Sequence, residues 1–157
     1  MNKEKEYMPS ITVLMAVYNG ERWLAESIQS VLEQTFTNFE FIIVNDGSND
    51  CSLQIINQFS KKDSRIRVYN KKNSGLADSL NYGIAEARGE WIARIDADDI
   101  CSLERLQKQI ECVRLNTDLV LVGSGLVIID ENGIIIKHFP KVSASKHLKE
   151  VLKFLNQ

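Results

Sequence analysis

Asp96-Ala97-Asp98-Asp99 closes an apolar, strand-like run from Trp91 to Ile95, and the spacing of its acids suits metal chemistry. On an extended segment successive side chains face opposite ways, so Asp96 and Asp98 share one side while Asp99 points to the other. Two carboxylates facing one point repel unless a cation or proton joins them. Oxygen-only ligands suit Mg2+ or Mn2+, ions that complete their shells with water and substrate phosphates. Turn formation and helix capping are the competing uses of such acids. They suit Asp99, which precedes a fitting helix entrance at Ser102-Leu103-Glu104-Arg105-Leu106. Asp96 and Asp98 are read as ligands because of the elements that lead up to them.

Those elements alternate. Ile11 to Val17 is a nearly continuous apolar run, the pattern of a strand buried on both faces, and Tyr18-Asn19-Gly20 ends it. Glu21 to Gln34 reads as a helix, with Leu24, Ile28, Val31 and Leu32 on one stripe. Phe39 to Val44 is a second buried strand, Asn45 to Asp50 a polar turn, and Cys51 to Phe59 a second helix. A short strand at Ile66 to Tyr69, a loop at Asn70 to Gly75 and a helix carrying Leu76, Leu80, Ile84 and Ala87 on one face lead to Trp91 to Ile95.

Strand and helix alternating in units of roughly 25 residues predict an α/β fold with a mostly parallel sheet and helices on both faces. Such sheets bind ligands beyond the carboxyl ends of their strands, where the strand order reverses. Tyr18, Asp46 and Asp96 to Asp98 all follow strand ends. An acid placed like Asp46 can accept hydrogen bonds from a base or ribose, and equally it can form the Asp-Gly-Ser turn it belongs to. Two phosphate-binding solutions are missing: the chain has no Gly-x-x-x-x-Gly-Lys-Ser/Thr, and its first turn is not Gly-x-Gly-x-x-Gly.

Past the acids, a helix is expected from Leu103 to Leu115, then strands at Leu119 to Val122, Leu126 to Ile129 and Ile134 to Phe139. Asn132-Gly133 between the last two predicts a hairpin that extends the sheet. Ser143 to Leu155 carries Leu148, Val151, Leu152 and Leu155 on one helical face, which needs its own sheet or another copy of the chain to cover it. The 157 residues fit one domain, 10–157, behind a loose polar tail at 1–9. A net charge of −2 gives no basic footprint for nucleic acid. No apolar run approaches the roughly 20 residues of a transmembrane helix. Cys51, Cys101 and Cys112 lack paired spacing and read as idle thiols in a reducing cytoplasm, while His138 and His147 have no ligand partner at metal spacing.

Taken together, Val13-Leu14-Met15-Ala16-Val17-Tyr18-Asn19, Val44-Asn45-Asp46-Gly47-Ser48, Asn73-Ser74-Gly75 through Asn81, and Gly89-Glu90-Trp91-Ile92 running to Asp96-Ala97-Asp98-Asp99 closely resemble the family 2 glycosyltransferases. The resemblance covers Ser10 to Pro140 and implies the Rossmann-like GT-A fold, with inverting transfer of a sugar from a nucleotide-diphospho-sugar, a UDP- or GDP-sugar, to a saccharide or lipid-linked acceptor. It implies that Ala16, Val17 and Tyr18 wall the base, that Asp46 hydrogen-bonds it, and that Gly75 and Asn81 belong to a third donor-side motif with Lys72 near the diphosphate. Asp96 would meet the ribose or the metal shell, and Asp98, beyond Ala97, would ligate Mn2+ or Mg2+. Asn45 departs from the acid often found before this Asp.

The family's acceptor-side base and its Gln/Arg-x-x-Arg-Trp segment have no counterpart up to Gln157, so the chain is expected to hold the donor half, truncated before the acceptor-binding half. Asp130 and Glu131 are the nearest acids and read as a hairpin tip. Polysaccharide or glycoprotein assembly in the cytoplasm follows as an expectation, with contact to the inner face of the membrane only through partners. The competing functions are a non-catalytic nucleotide-sugar-binding or assembly module and an Asp-x-Asp phosphatase, whose motif belongs on the opening strand rather than the fourth.

Overall fold

Near-continuous apolar runs must be covered on both faces, and the first two strands are. In the computed structural model, which describes residues 8–139, β1 (Ile11–Val17) and β2 (Phe39–Asn45) are buried along almost their whole length. They pair in parallel, Ile11 against Phe39 through Val17 against Asn45. The strands β3 (Ile66–Asn70) and β4 (Trp91–Arg94) complete a four-stranded parallel sheet in the order β3-β2-β1-β4.

The two-residue period splits the apolar side chains between the faces. Leu14, Ile42 and Val44 form a buried cluster on one face with Tyr69, Leu80 and Ala87, and helix α3 (Leu76–Glu86) packs there on β1 and β2. Phe41 and Ile43 point the other way and are fully buried. Helices α1 (Leu24–Leu32) and α2 (Ser52–Ser60) pack on each other and bury Leu24, Ile28, Val31 and Ile56. Burial of each such side chain contributes about 1.5–3 kcal/mol. The predicted architecture of a parallel sheet with helices on both faces is therefore present.

The amino-terminal ends of the strands are tied by a buried carboxylate. Glu40 Oε1 accepts from Thr12 Oγ1 at 2.7 Å and from the backbone N–H of Arg88 at 2.6 Å, while Oε2 accepts from Arg67 Nη1 at 2.7 Å. Thr12 Oγ1 in turn accepts from Gly89 N–H at 2.9 Å. A Cβ at Gly89 would fall within 2.5 Å of the Ile11 carbonyl carbon and crowd the backbone of Thr12. Backbone cannot yield as a side-chain tip does, so Gly89→Ala is expected to destabilise the fold by about 2 kcal/mol, read as a fall in the urea midpoint.

The chain divides into two compact units, Met1–Glu104 and Arg105–Gln157. In the second, α4 (Arg105–Leu115) buries Leu106, Ile110 and Val113 at helical spacing, and β5 (Leu126–Ile129) pairs antiparallel with β6 (Ile135–Phe139). The predicted hairpin thus forms, but as a two-stranded sheet of its own rather than as an extension of the first. The predicted strand at Leu119 to Val122 is reduced to a single bridge residue, Leu121. Helix α1 starts three residues later than its periodicity suggests. Gly20 C=O accepts from both Trp23 and Leu24 N–H, which winds Glu21 to Trp23 into a turn. The predicted helix at Ser143 to Leu155 lies outside the described residues. No helix among those described is long and apolar enough to cross a membrane.

Candidate functional site

Strand order decides where ligands go. From β1 the chain moves to β2 and β3 on one side, then returns to place β4 on the other. The reversal lies between β1 and β4, and loops diverging from their carboxyl ends leave a crevice there. A cavity of about 410 Å3 occupies that crevice, with Ala16, Tyr18, Asn19 and Gly20 on the β1 side and Asp96, Ala97 and Asp98 on the β4 side. Arg22 and Trp23 complete it, the guanidinium carbon 4.5 Å from the indole centroid.

The walls are held by bonds between segments far apart in sequence. Ser27 Oγ on α1 donates to the Asp96 carbonyl at 3.1 Å, and Ile95 N–H donates to the Leu14 carbonyl at 3.1 Å. Asp99 N–H donates back to the Asp96 carbonyl at 3.2 Å, so Asp96 to Asp99 forms a turn. Asn19, at φ 53°, accepts from Asn49 N–H on its Oδ1 at 2.8 Å, and its own N–H donates to Ser48 Oγ at 3.0 Å. Gly20 N–H donates to Ser52 Oγ and Glu21 N–H to Asp50 Oδ2, so the loops after β1 and β2 satisfy each other's backbone groups.

Tyr18 offers an exposed aromatic ring, 54% accessible, at the cavity. Val17 does not join it. The strand period that sends Ala16 and Tyr18 toward the crevice turns Val17 into the core, where it is 1% exposed, and its contribution is a carbonyl that accepts from Asp46 N–H at 2.8 Å.

Asp46 is itself buried, 3% exposed. Its Oδ1 accepts from Lys71 Nζ at 2.7 Å and Ser74 N–H at 3.0 Å, and its Oδ2 from Gly75 N–H at 2.9 Å. Burial works to raise this carboxyl, but the bonds from Lys71, Ser74 and Gly75 outweigh it and hold the group below the usual carboxylate range. Asp46 therefore organises the loop leading into α3, at whose entrance Gly75 adopts φ 95°. Lys71, which sequence reasoning passed over for its neighbour, also contacts Asp78 at 3.3 Å and Ser74. Its hydrogen bond to Asp46 holds the ammonium above its ordinary value.

Lys72 lines a separate cavity of about 540 Å3 and not the one at Asp96 to Asp98. Asn81 is exposed on α3 and lines neither. The predicted site residues thus divide into Ala16, Tyr18, Asp96, Ala97 and Asp98 at the crevice, Asp46 with Gly75 beneath the neighbouring loop, and Lys72 and Asn81 elsewhere.

Asp96 and Asp98 bring hard oxygen donors to the crevice wall, and Asp98 is exposed. Asp96 Oδ1 is 2.5 Å from Arg94 Nη2, which partly neutralises it. Among the described residues no three His, Cys, Asp or Glu side chains gather as a ready metal cage. This donor set fits Mg2+ or Mn2+ in the manner of sites that take one or two carboxylates and draw the other ligands from water and phosphates, and it does not fit a structural ion. The acids follow the fourth strand, not the first, and so depart from the phosphatase arrangement.

The family model described as glycosyl transferase family 2 matches residues 12–155. The uncharacterized glycosyltransferase MJ1057 of Methanocaldococcus jannaschii is 42% identical over 146 residues, 90% of this chain and 50% of that protein. The O-antigen biosynthesis glycosyltransferase WbnJ of Escherichia coli is 36% identical over 149 residues, 93% of this chain and 57% of that one. Among solved structures, Staphylococcus aureus TarS 1-349 in complex with UDP superposes with a TM-score of 0.64 at 26% identity, covering 78% of this chain and 36% of that one. The chain thus spans about half the length of the two curated relatives.

Proposed function

This chain belongs to glycosyl transferase family 2, and from that membership we propose that its crevice between β1 and β4 binds the nucleotide-diphospho-sugar donor of a metal-dependent, inverting glycosyltransferase. One observation carries the reading: an exposed aromatic ring, a guanidinium and two carboxylates line one cavity at the reversal point of a parallel sheet. Tyr18 offers the base a stacking face beside the small Ala16, and the Arg22 guanidinium meets negative charge. Asp96 faces the ribose or the metal shell, and Asp98 holds the ion. Mn2+ or Mg2+, when bound, supplies Lewis-acid stabilisation of the charge that builds on the departing diphosphate. TarS 1-349, a structural relative crystallised in complex with UDP, supports a nucleotide ligand for a chain of this fold.

The chain's own part is to bind and orient the donor. Asp130 is not offered as the base for the acceptor hydroxyl. Its Oδ1 accepts from the backbone N–H of Asn132 and Ile134, and those bonds hold it below the usual carboxylate range in the hairpin turn. The acceptor is proposed to be a saccharide or lipid-linked saccharide engaged outside this crevice.

Calorimetric titration with UDP and with GDP, each with Mn2+ or with EDTA, tests the reading. One diphosphate is expected to bind with metal, and Asp98→Ala to weaken it at least about tenfold. Equal affinity in EDTA would contradict it.

A further inference from the structure

We propose that the larger cavity, at the carboxyl ends of β2 and β3, is a second ligand site that takes a hydroxyl-rich sugar unit carrying one anionic group. Its volume of about 540 Å3 lies within the range of small-molecule sites. None of the crevice residues Ala16, Tyr18, Asp96 and Asp98 lines it. The two cavities are separated by the junction where Asn19 bonds Ser48 and Asn49, so both can be filled at once.

The chemistry of the lining is unusual. Four asparagines, Asn45, Asn49, Asn70 and Asn73, face it together with Lys72. Asn45 forms the floor, being 1% exposed and the only buried residue of the lining. Its Nδ2 donates to Asn70 Oδ1 at 2.7 Å, and its Oδ1 has no partner among the described residues. The floor thus carries one buried amide oxygen with no such partner. Buried amide atoms are rarely left so. The Asn45 oxygen is covered as it stands, so a ligand hydroxyl donates to it only after a small shift of the lining side chains.

Above the floor, the side chains of Asn49 and Asn73 make no hydrogen bond to the described residues and present further donors and acceptors. Lys71 spends its charge on Asp46 and Asp78, which leaves Lys72 to set the sign of the ligand. No carboxylate lines the cavity to hold a metal, and no aromatic ring to stack a base. Hydroxyls for the amides, one anion for Lys72 and a carbon face against Leu53 describe a uronic acid or a sugar phosphate. This inference stands whether or not the crevice binds a nucleotide.

The test is a titration of the full isotope-labelled chain with glucuronate, glucose 6-phosphate, glucose and inorganic phosphate, followed by the side-chain amide resonances of Asn45 and Asn70. Saturable shifts with glucuronate, with glucose 6-phosphate or with both support the site and identify its anion. Lys72→Met is expected to raise that Kd about tenfold. Asn45→Leu could prevent folding, so Leu53→Trp, which fills the cavity from α2, serves as the second variant. It should abolish the sugar shifts while leaving the melting temperature and any UDP response at Gly20 and Ala97 unchanged. The proposal is overturned if no probe shifts the amides, if inorganic phosphate shifts them as strongly as the sugars, if neutral glucose binds as tightly as the anionic sugars, or if Leu53→Trp leaves the shifts intact.

Discussion

Asp46→Ala is expected to weaken donor binding by about tenfold to a hundredfold, the loss that follows when hydrogen bonds to a charged group are removed. Without the carboxylate, Ser74 and Gly75 lose the acceptor of their backbone N–H groups, and Lys71 keeps Asp78, Ser74 and a longer bond to Ser79. The loop that enters α3 then loosens beside the crevice. Asp46→Asn should fall between, because one amide oxygen can still accept a backbone N–H while the ion pair is lost. The pH dependence has a definite sign. A carboxyl whose folded value is depressed contributes fully above its ordinary value of 3.8 and loses that contribution as pH falls through the lower folded value. Donor affinity measured between pH 8 and pH 5 should therefore be insensitive to Asp46, and loss near pH 6 would show that some other group governs the loop.

The largest effect on stability is expected at Glu40. Glu40→Ala strands Arg67 and leaves Thr12 Oγ1–H and Arg88 N–H without their acceptor in a place where Glu40 itself is 7% exposed. Breaking a pair of this kind costs about 3 kcal/mol, lowered somewhat by the part of Arg67 that water reaches. Chemical denaturation at pH 7 measures it, with Glu40→Gln expected to be milder because a neutral side chain can still accept from Thr12. Burial tends to raise the Glu40 carboxyl, but the bonds from Arg67, Thr12 and Arg88 override that and depress it. The wild-type advantage over Glu40→Gln is accordingly full above the ordinary carboxylate value of 4.5 and shrinks as pH falls below it. A difference that persists unchanged in strong acid would mean that packing, not charge, ties these strand ends.

Much of this architecture is legible in the sequence, because buried parallel strands need near-continuous apolar runs, and Ile11 to Val17 and Phe39 to Val44 are such runs, interrupted only by Thr12 and Glu40. The crevice acids are legible for the same reason: a polar segment after such a run can only emerge at the carboxyl edge. Finer placements turn on a single residue of register. Lys71 and Lys72 are alike in sequence, yet the pairing of Asn45 with Asn70 brings Lys71 N–H to the Asn45 carbonyl and its ammonium to Asp46. Val17 lies between Ala16 and Tyr18 in sequence, and the strand period turns it to the core.

Arg22 and Trp23 were hidden inside the predicted first helix, and only the turn made by Gly20 reveals them as crevice residues. In sequence the Asn45 amide is only a departure from an acid, because its unpaired atom is a property of packing. The strand expected at Leu119 to Val122 failed because an apolar run of four residues does not say whether a partner strand exists for it.

Mn2+ reports directly on whether the β1–β4 crevice is a metal-assisted donor site, because the ion broadens nuclear resonances near it. With Mn2+ and UDP or GDP added to the labelled chain, the amide signals of Gly20, Ala97 and Asp98 should vanish, return with EDTA, and persist throughout in Asp98→Ala. Signals at those three residues that stay sharp at saturating nucleotide and metal, or that broaden equally in Asp98→Ala, would contradict the account.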